Sequence, residues 1–163
     1  MIDFEIPEET KLVRGIVREF VHEVCIPAEK GLTVDTYDEI LSDLRQKARA
    51  KGLWCPFFPV EWGGMGLKPL ANALVQMELG ESILGALALN TQGPDDATMM
   101  TLLHHGTEYQ HEAFLKPLVA GEKRVCYAMT EKGGGADATG MKTSAVEDGD
   151  NYVLNGDKWY ISS

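Results

Sequence analysis

The spacing of apolar residues changes close to residue 125, and this change constrains the fold more than any other feature of the sequence. Up to that point, apolar residues recur every three or four positions, which predicts amphipathic helices. Beyond it, apolar and polar residues alternate in short runs, which predicts strands. We therefore predict an α+β chain. An all-helical domain over residues 1–122 precedes the first strands of a β domain over residues 123–163.

Prolines and acidic first turns mark where the helices start, because the first helical turn does not need the N–H that proline lacks. The predicted helices begin at Pro7, near Asp35, and at Pro69, Pro94 and Thr107. Pro27 is expected to end the first helix, and Pro117 to kink or end the last one. On the helix that starts at Pro69, the face predicted to point inward carries Leu70, Ala73, Leu74 and Met77.

Two turn signals organise the predicted strands. Asp148-Gly149 is typical of a two-residue hairpin, so residues 143–147 and 152–155 are predicted to pair. Asn155-Gly156 is a second turn signal, after which residues 158–162 are predicted to form another strand.

Composition excludes several classes of partner. A net charge of −10 argues against nucleic acid and against an anionic membrane surface. No apolar run approaches the roughly 20 residues that cross a bilayer, and the acidic N-terminus is unlike a signal peptide, so we expect a cytoplasmic chain with no membrane span. Three widely spaced cysteines indicate neither a disulfide framework nor a zinc site, and the histidines of residues 104–111 lack a metal-binding pattern.

The loop of residues 132–140 contains three consecutive glycines, followed by Asp137 and Gly140. Glycine lets backbone N–H groups approach an anion closely, so the loop is compatible with a bound phosphate. Taken alone, it is more typical of a hairpin turn between strands. It lacks the Gly-Lys-Ser/Thr ending of an NTPase loop and the G-x-G-x-x-G pattern of a dinucleotide fold.

Two segments in order, residues 128–140 and 155–162, resemble the flavin-binding signature of the acyl-CoA dehydrogenase family. The Pro-x-Glu-aromatic-Gly-Gly-x-Gly loop of residues 59–66 is similar to one in the same family. Members of that family run to more than twice this length. The resemblance therefore implies a helical domain and the start of a β-barrel-like domain, with the C-terminal helical bundle of the family absent from this chain.

The resemblance also implies which residues contact FAD. The strand end and the glycine loop contribute Tyr127, Ala128, Met129, Thr130, Gly135 and Ala136, and the second segment contributes Tyr160, Ile161 and Ser162. Thr130 falls where a hydroxyl meets the pyrimidine edge of the ring, and Ser162 where one meets flavin N5. Ala136 departs from the family, which usually has Ser or Thr there to reach the pyrophosphate and the substrate.

The reaction implied is FAD-dependent dehydrogenation of an acyl-CoA thioester to the 2,3-enoyl-CoA. Its carboxylate base lies in the family's C-terminal bundle, so no catalytic residue is expected in this chain, and the chain alone is expected to be inactive. The implied partners are an acyl-CoA substrate, an electron-transfer flavoprotein as electron acceptor, and further copies of the chain in a homo-oligomer. Two alternatives stay open: a flavin monooxygenase or nitroalkane oxidase on the same fold, and a non-catalytic helical interaction module.

Overall fold

Helices occupy the first part of the chain, and a hairpin lies in the last part. The computed structural model describes residues 5–161, which divide into two compact units after Lys123. The prediction of a mostly helical part followed by a part with strands is thereby confirmed. Within the described residues the second unit contains one two-stranded sheet, so the β-barrel-like domain stays a prediction.

The first unit contains eight α-helices within residues 5–123. They are α1 (Glu8–Phe20), α2 (Ile26–Glu29), α3 (Tyr37–Ala50), α4 (Pro69–Leu79), α5 (Gly85–Ala88), α6 (Gly93–His105), α7 (Glu108–Gln110) and α8 (Lys116–Val119). The predicted capping box is present, since Thr107 and Gln110 exchange side-chain and backbone hydrogen bonds. None of the helices described is long and apolar enough to cross a membrane.

A π-helical turn precedes each of the two internal prolines. Residues Val21–Cys25 join α1 to α2, and His111–Leu115 join α7 to α8. Each π turn ends in a bond from an N–H to the carbonyl five residues earlier, and proline then occupies the second position of the next helix. The expectation that Pro27 ends the first helix is therefore wrong. The wider turn accommodates the ring and its missing N–H, so the chain stays helical to Glu29.

The core of the first unit lies where α1 packs on α4 and where α3 packs on α5. Its buried members are Val17, Phe20, Val21, Cys25, Leu44, Ala48, Leu53, Val75, Leu79, Leu84, Ala88 and Leu89. Helix α1 contributes Val17 and Phe20 to this set, and α3 contributes Leu44 and Ala48.

Helix α4 turns a different face inward from the one predicted. Leu70 and Met77 are more than half exposed, whereas Val75 and Glu78 are buried. Glu78 lies inside because its carboxylate meets the guanidinium group of Arg14 at 2.5 Å. The prediction counted apolar residues only, and a buried ion pair with α1 rotates the helix away from that face.

The second unit contains strands β1 (Ser144–Asp148) and β2 (Asn151–Asn155), which pair antiparallel with Ser144 opposite Asn155. The turn between them contains Gly149 at φ +61°, a conformation that favours glycine. The predicted hairpin is thus present, with all ten strand residues exposed. The predicted third strand does not form over residues 158–161, and its last residue, Ser162, lies outside the described residues.

Candidate functional site

Three segments of the second unit meet at the carboxylate of Glu131. Its Oε2 accepts the backbone N–H of Lys142 at 2.6 Å. Its Oε1 accepts the backbone N–H of Thr143 at 2.9 Å and the ammonium of Lys158, also at 2.9 Å. The Glu131 side chain is only 8% exposed as a result. The glycine-containing loop of residues 132–141 therefore begins and ends beside one carboxylate, that of Glu131.

Lys158 connects the two sequence motifs. Besides its ion pair with Glu131, its ammonium donates to the carbonyl of Met129 at 3.0 Å. The next residue, Trp159, donates its backbone N–H to the carbonyl of Thr130 at 2.9 Å. The second motif therefore lies alongside the end of the first, held by one backbone bond and one bridging ammonium.

The surroundings of Glu131 keep it ionised. Its pKa is lowered from the ordinary value of 4.5 to about 2 by the Thr143 side chain first, and then by the Lys142 N–H, the Lys158 ammonium and the Thr143 N–H. Each of these groups favours the charged form of the carboxylate. A carboxylate so occupied on both oxygens is suited to holding backbone in place, not to accepting a proton from a substrate.

Gly156 allows this arrangement because it has no side chain. A Cβ at this position would lie 2.2 Å from Thr143 Oγ1 and 2.7 Å from Thr143 Cα. The second turn signal therefore has a role beyond the turn itself: it leaves room for the threonine that contacts Glu131.

The glycine loop is shaped by local bonds. Gly133 has φ +84°, and a Cβ on Gly134 would lie 3.1 Å from the Glu131 carbonyl oxygen. Asp137 begins a short 3₁₀ turn, Ala138–Gly140, and its Oδ1 accepts both the hydroxyl and the N–H of Thr139. These bonds, the hydroxyl first, hold the pKa of Asp137 below its ordinary value.

Donors remain open around this loop. Among the described residues, no hydrogen-bond partner is present for the backbone N–H groups of Gly135 and Ala136 or for the hydroxyl of Thr130. A shallow hollow of about 130 Å³ lies beside Thr130 and Gly135, lined by residues 129–131, Gly134, Gly135, Asp137, Ala138 and Met141. Free N–H groups suit a phosphate, and a free hydroxyl suits a ring edge, so this donor set fits the flavin dinucleotide implied by the resemblance.

The structure describes all but one of the predicted site residues. Residues 127–130, Gly135 and Ala136 are exposed around the loop. Tyr160 is 87% exposed and has φ +56°, and Ile161 is partly buried. Thr130 is brought against the second motif through Trp159. Ser162 lies outside the described residues.

The set of predicted site residues omitted Lys158, Thr143 and Gly156. Lys158 and Gly156 stand in the second motif, and the fixed spacing of a lysine two residues after an Asn-Gly turn was the available signal. Nothing in the pattern around Thr143 distinguishes it from the other polar residues of its strand run. Among the described residues, no cluster of three or more His, Cys, Asp or Glu side chains is placed to hold a metal ion.

Comparison with known families gives two consecutive matches. Residues 7–122 match the model of the acyl-CoA dehydrogenase N-terminal domain, and residues 126–163 match that of the acyl-CoA dehydrogenase middle domain. The two matches together cover nearly the whole chain.

Individual relatives agree with this. The chain is 35% identical to acyl-CoA dehydrogenase family member 11 of Gallus gallus, over 90% of this chain and 20% of that protein. It is 33% identical to the caffeyl-CoA reductase-Etf complex subunit CarC of Acetobacterium woodii, over 95% of this chain and 40% of that protein. Its structure resembles an acyl-CoA dehydrogenase from Bacillus anthracis solved in complex with FAD, with a TM-score of 0.71 and 29% identity over 99% of this chain and 27% of that one. The chain thus spans between one fifth and two fifths of the length of these relatives.

Proposed function

Because this chain belongs to the acyl-CoA dehydrogenase family, we propose that it supplies part of the flavin site of an FAD-dependent acyl-CoA dehydrogenase. That reaction would convert an acyl-CoA thioester to the 2,3-enoyl-CoA: a carboxylate base would remove the α-proton, and N5 of bound FAD would accept the β-hydride. Bound FAD supplies the hydride acceptor. The residues of this chain bind and orient it.

The observation that carries the proposal is the 2.9 Å bond from the Trp159 N–H to the Thr130 carbonyl. It sets the two motifs side by side within one unit. A dinucleotide bridging both motifs would then meet a hydroxyl at Thr130, N–H donors at Gly135 and Ala136, and an aromatic neighbour at Tyr160. Preorganised donors of this kind bind a ligand without a cost of reordering them.

Each contact has a defined task. The Thr130 hydroxyl would hold the pyrimidine edge of the ring, and Tyr127, Ala128 and Met129 would lie beside it. The N–H groups of Gly135 and Ala136 would donate to the pyrophosphate. Tyr160 and Ile161 would exclude water from the ring. Ser162, which lies outside the described residues, falls where the resemblance implies a hydroxyl near N5, and such a donor would stabilise charge that develops there.

Ala136 changes the balance of these contacts. Where the family usually has a hydroxyl, this chain offers only its backbone N–H. One neutral hydrogen bond contributes roughly 0.5–1.5 kcal/mol net, so flavin binding is weakened at this position and not lost. The resemblance also implies a substrate contact at Ala136, for which only its backbone and methyl group are available.

No residue of this chain is assigned as the base. Glu131, a carboxylate in the hollow, has both oxygens engaged by Lys142, Thr143 and Lys158. The proposal therefore divides the chain into a helical domain, residues 1–122, and a flavin-binding part, residues 123–163, that positions the cofactor for a base supplied elsewhere.

Electron transfer and assembly extend the proposal. The Acetobacterium relative is named as a subunit of a complex with Etf. We expect the same type of acceptor, an electron-transfer flavoprotein, to reoxidise the cofactor bound here. The family's pattern of assembly further suggests a homo-oligomer, with an acyl-CoA as substrate.

The test is a titration of FAD with the full chain. Binding is measured by the quenching of flavin fluorescence. We expect saturable binding near one FAD per chain. Thr130→Val keeps the shape of the side chain and removes the hydroxyl, so it should weaken binding by roughly 2- to 13-fold. Thr101→Val is the matched control, because the Thr101 hydroxyl donates to Ala97 on a helix of the first unit. Absence of saturable binding by the unsubstituted chain would overturn the proposal and favour a non-catalytic interaction module.

A further inference from the structure

Glu131 holds together the two ends of the glycine loop, which we call its neck. The loop of residues 132–141 begins directly after it and ends directly before Lys142 and Thr143, and the backbone N–H groups of both residues donate to its carboxylate. Both ends of a ten-residue loop are thus tied to one side chain. Within the loop, the Asp137 turn and the bond from the Gly134 N–H to the Glu131 carbonyl at 3.0 Å add local order.

The same carboxylate reaches the second motif through Lys158. The Lys158 side chain is 22% exposed, and its ammonium lies between Glu131 Oε1 and the Met129 carbonyl. Removal of either charged partner leaves the other largely buried without its counter-ion, which costs more than the loss of an exposed pair. The two residues therefore act together, and replacing either one with a neutral residue should lower the stability of the second unit.

We propose that Glu131 is a positioning residue for the flavin site. It holds the glycine loop at its neck and, through Lys158, aligns the Thr130 backbone with the Trp159 segment before any cofactor arrives. This inference rests on the proposed function, since it concerns the same site. It assigns Glu131 no contact with flavin or substrate: its effect passes through the backbone of the residues that make those contacts.

An alternative is that Glu131 merely stabilises the second unit. Both alternatives predict a less stable unit in Glu131→Gln. Only the positioning role predicts that the losses of FAD affinity in Glu131→Gln and Lys158→Met are non-additive, because each variant breaks the same link. Lys158→Arg keeps the charge beside Glu131, so it is the conservative control under both alternatives.

The experiment uses the full chain and two readouts. Amide hydrogen exchange without cofactor reports on the N–H groups of Lys142, Thr143 and Trp159. A titration with FAD gives the dissociation constant. Glu147→Gln is the matched control, because it removes the same charge from an exposed position on β1 whose side chain only accepts from the Tyr152 hydroxyl.

In Glu131→Gln we expect faster exchange at the three amides and FAD binding weakened by roughly tenfold or more, since charge-assisted bonds are lost at the neck. Lys158→Met should bind FAD more weakly than the unsubstituted chain, the double variant no more weakly than Glu131→Gln, and Lys158→Arg about as well as the unsubstituted chain. Glu147→Gln should match the unsubstituted chain in both readouts.

The outcomes separate this inference from the proposed function. If the unsubstituted chain binds FAD and Glu131→Gln binds it equally well, the positioning role is overturned and the function stands. Additive losses in the double variant overturn it too, in favour of general stabilisation. If no chain binds FAD, the proposed function fails. Unchanged amide exchange in Glu131→Gln would then also show that Glu131 does not hold the two ends of the loop together.

Discussion

Gly156→Ala tests whether the space beside Thr143 holds the site together. The added Cβ would lie 2.2 Å from Thr143 Oγ1, whereas ordinary contacts begin near 3.4 Å. One of the two residues must therefore move by about 1 Å. The Thr143 N–H now donates to Glu131 at 2.9 Å, and a displacement of that size takes it outside hydrogen-bond range.

The cost follows from the overlap. Overpacking by one methyl group typically destabilises by about 1–3 kcal/mol, so the local opening equilibrium should rise roughly 5- to 150-fold. Hydrogen exchange in the full chain measures this directly at the amides of Lys142 and Thr143. Both should exchange faster by that factor, because their common acceptor is Glu131.

Gly135→Ala is the matched control for this substitution. No atom lies within 4 Å of a Cβ built at Gly135, and its φ is not in the left-handed region. The same addition of one methyl group should therefore leave the two amides unchanged. Equal exchange in Gly156→Ala and in the unsubstituted chain would refute the reasoning, because the Thr143 contact would then not be what holds the neck.

Three further predictions concern reactivity, pH and packing. Alkylation at pH 8 should label the exposed Cys126 first, because burial raises the pKa of Cys25 to about 12 and that of Cys55 to about 11; mass spectrometry of the digested chain checks the order. The contribution of ionised Glu131 to the stability of the second unit should be complete above its ordinary pKa of 4.5 and should be lost as pH falls through about 2. The NMR shift of its carboxyl carbon follows this titration. Leu44→Ala should destabilise the helical unit by about 2–5 kcal/mol in denaturant unfolding, since Leu44 is fully buried.

Short-range signals were the reliable part of the sequence. The starts of α1, α4 and α6, the capping box at Thr107 and the hairpin at Gly149 all follow from residues within one turn of each other. Each depends on a backbone preference or a bond that the local sequence supplies by itself. The two motifs could be recognised for the same reason, because each is a contiguous pattern.

Signals that depend on distant residues were missed or misread. The face that α4 buries was mispredicted because Glu78 is satisfied by Arg14, sixty-four residues earlier. The expected strand over residues 158–161 depended on a partner strand, and among the described residues its only backbone–backbone bond runs from Trp159 to Thr130. Pro27 was expected to end the first helix, but the π turn before it accommodates the hydrogen bond that proline cannot donate.

The sequence by itself determined the order of helical and strand parts, the positions of the turns and the two segments that carry the family pattern, because these are properties of neighbouring residues. Only the tertiary structure decided that Glu131, Thr143 and Lys158 meet. Their carboxylate, amide and ammonium groups come together from positions up to 27 residues apart. A contact of that kind depends on how the loop folds back, which no local preference specifies.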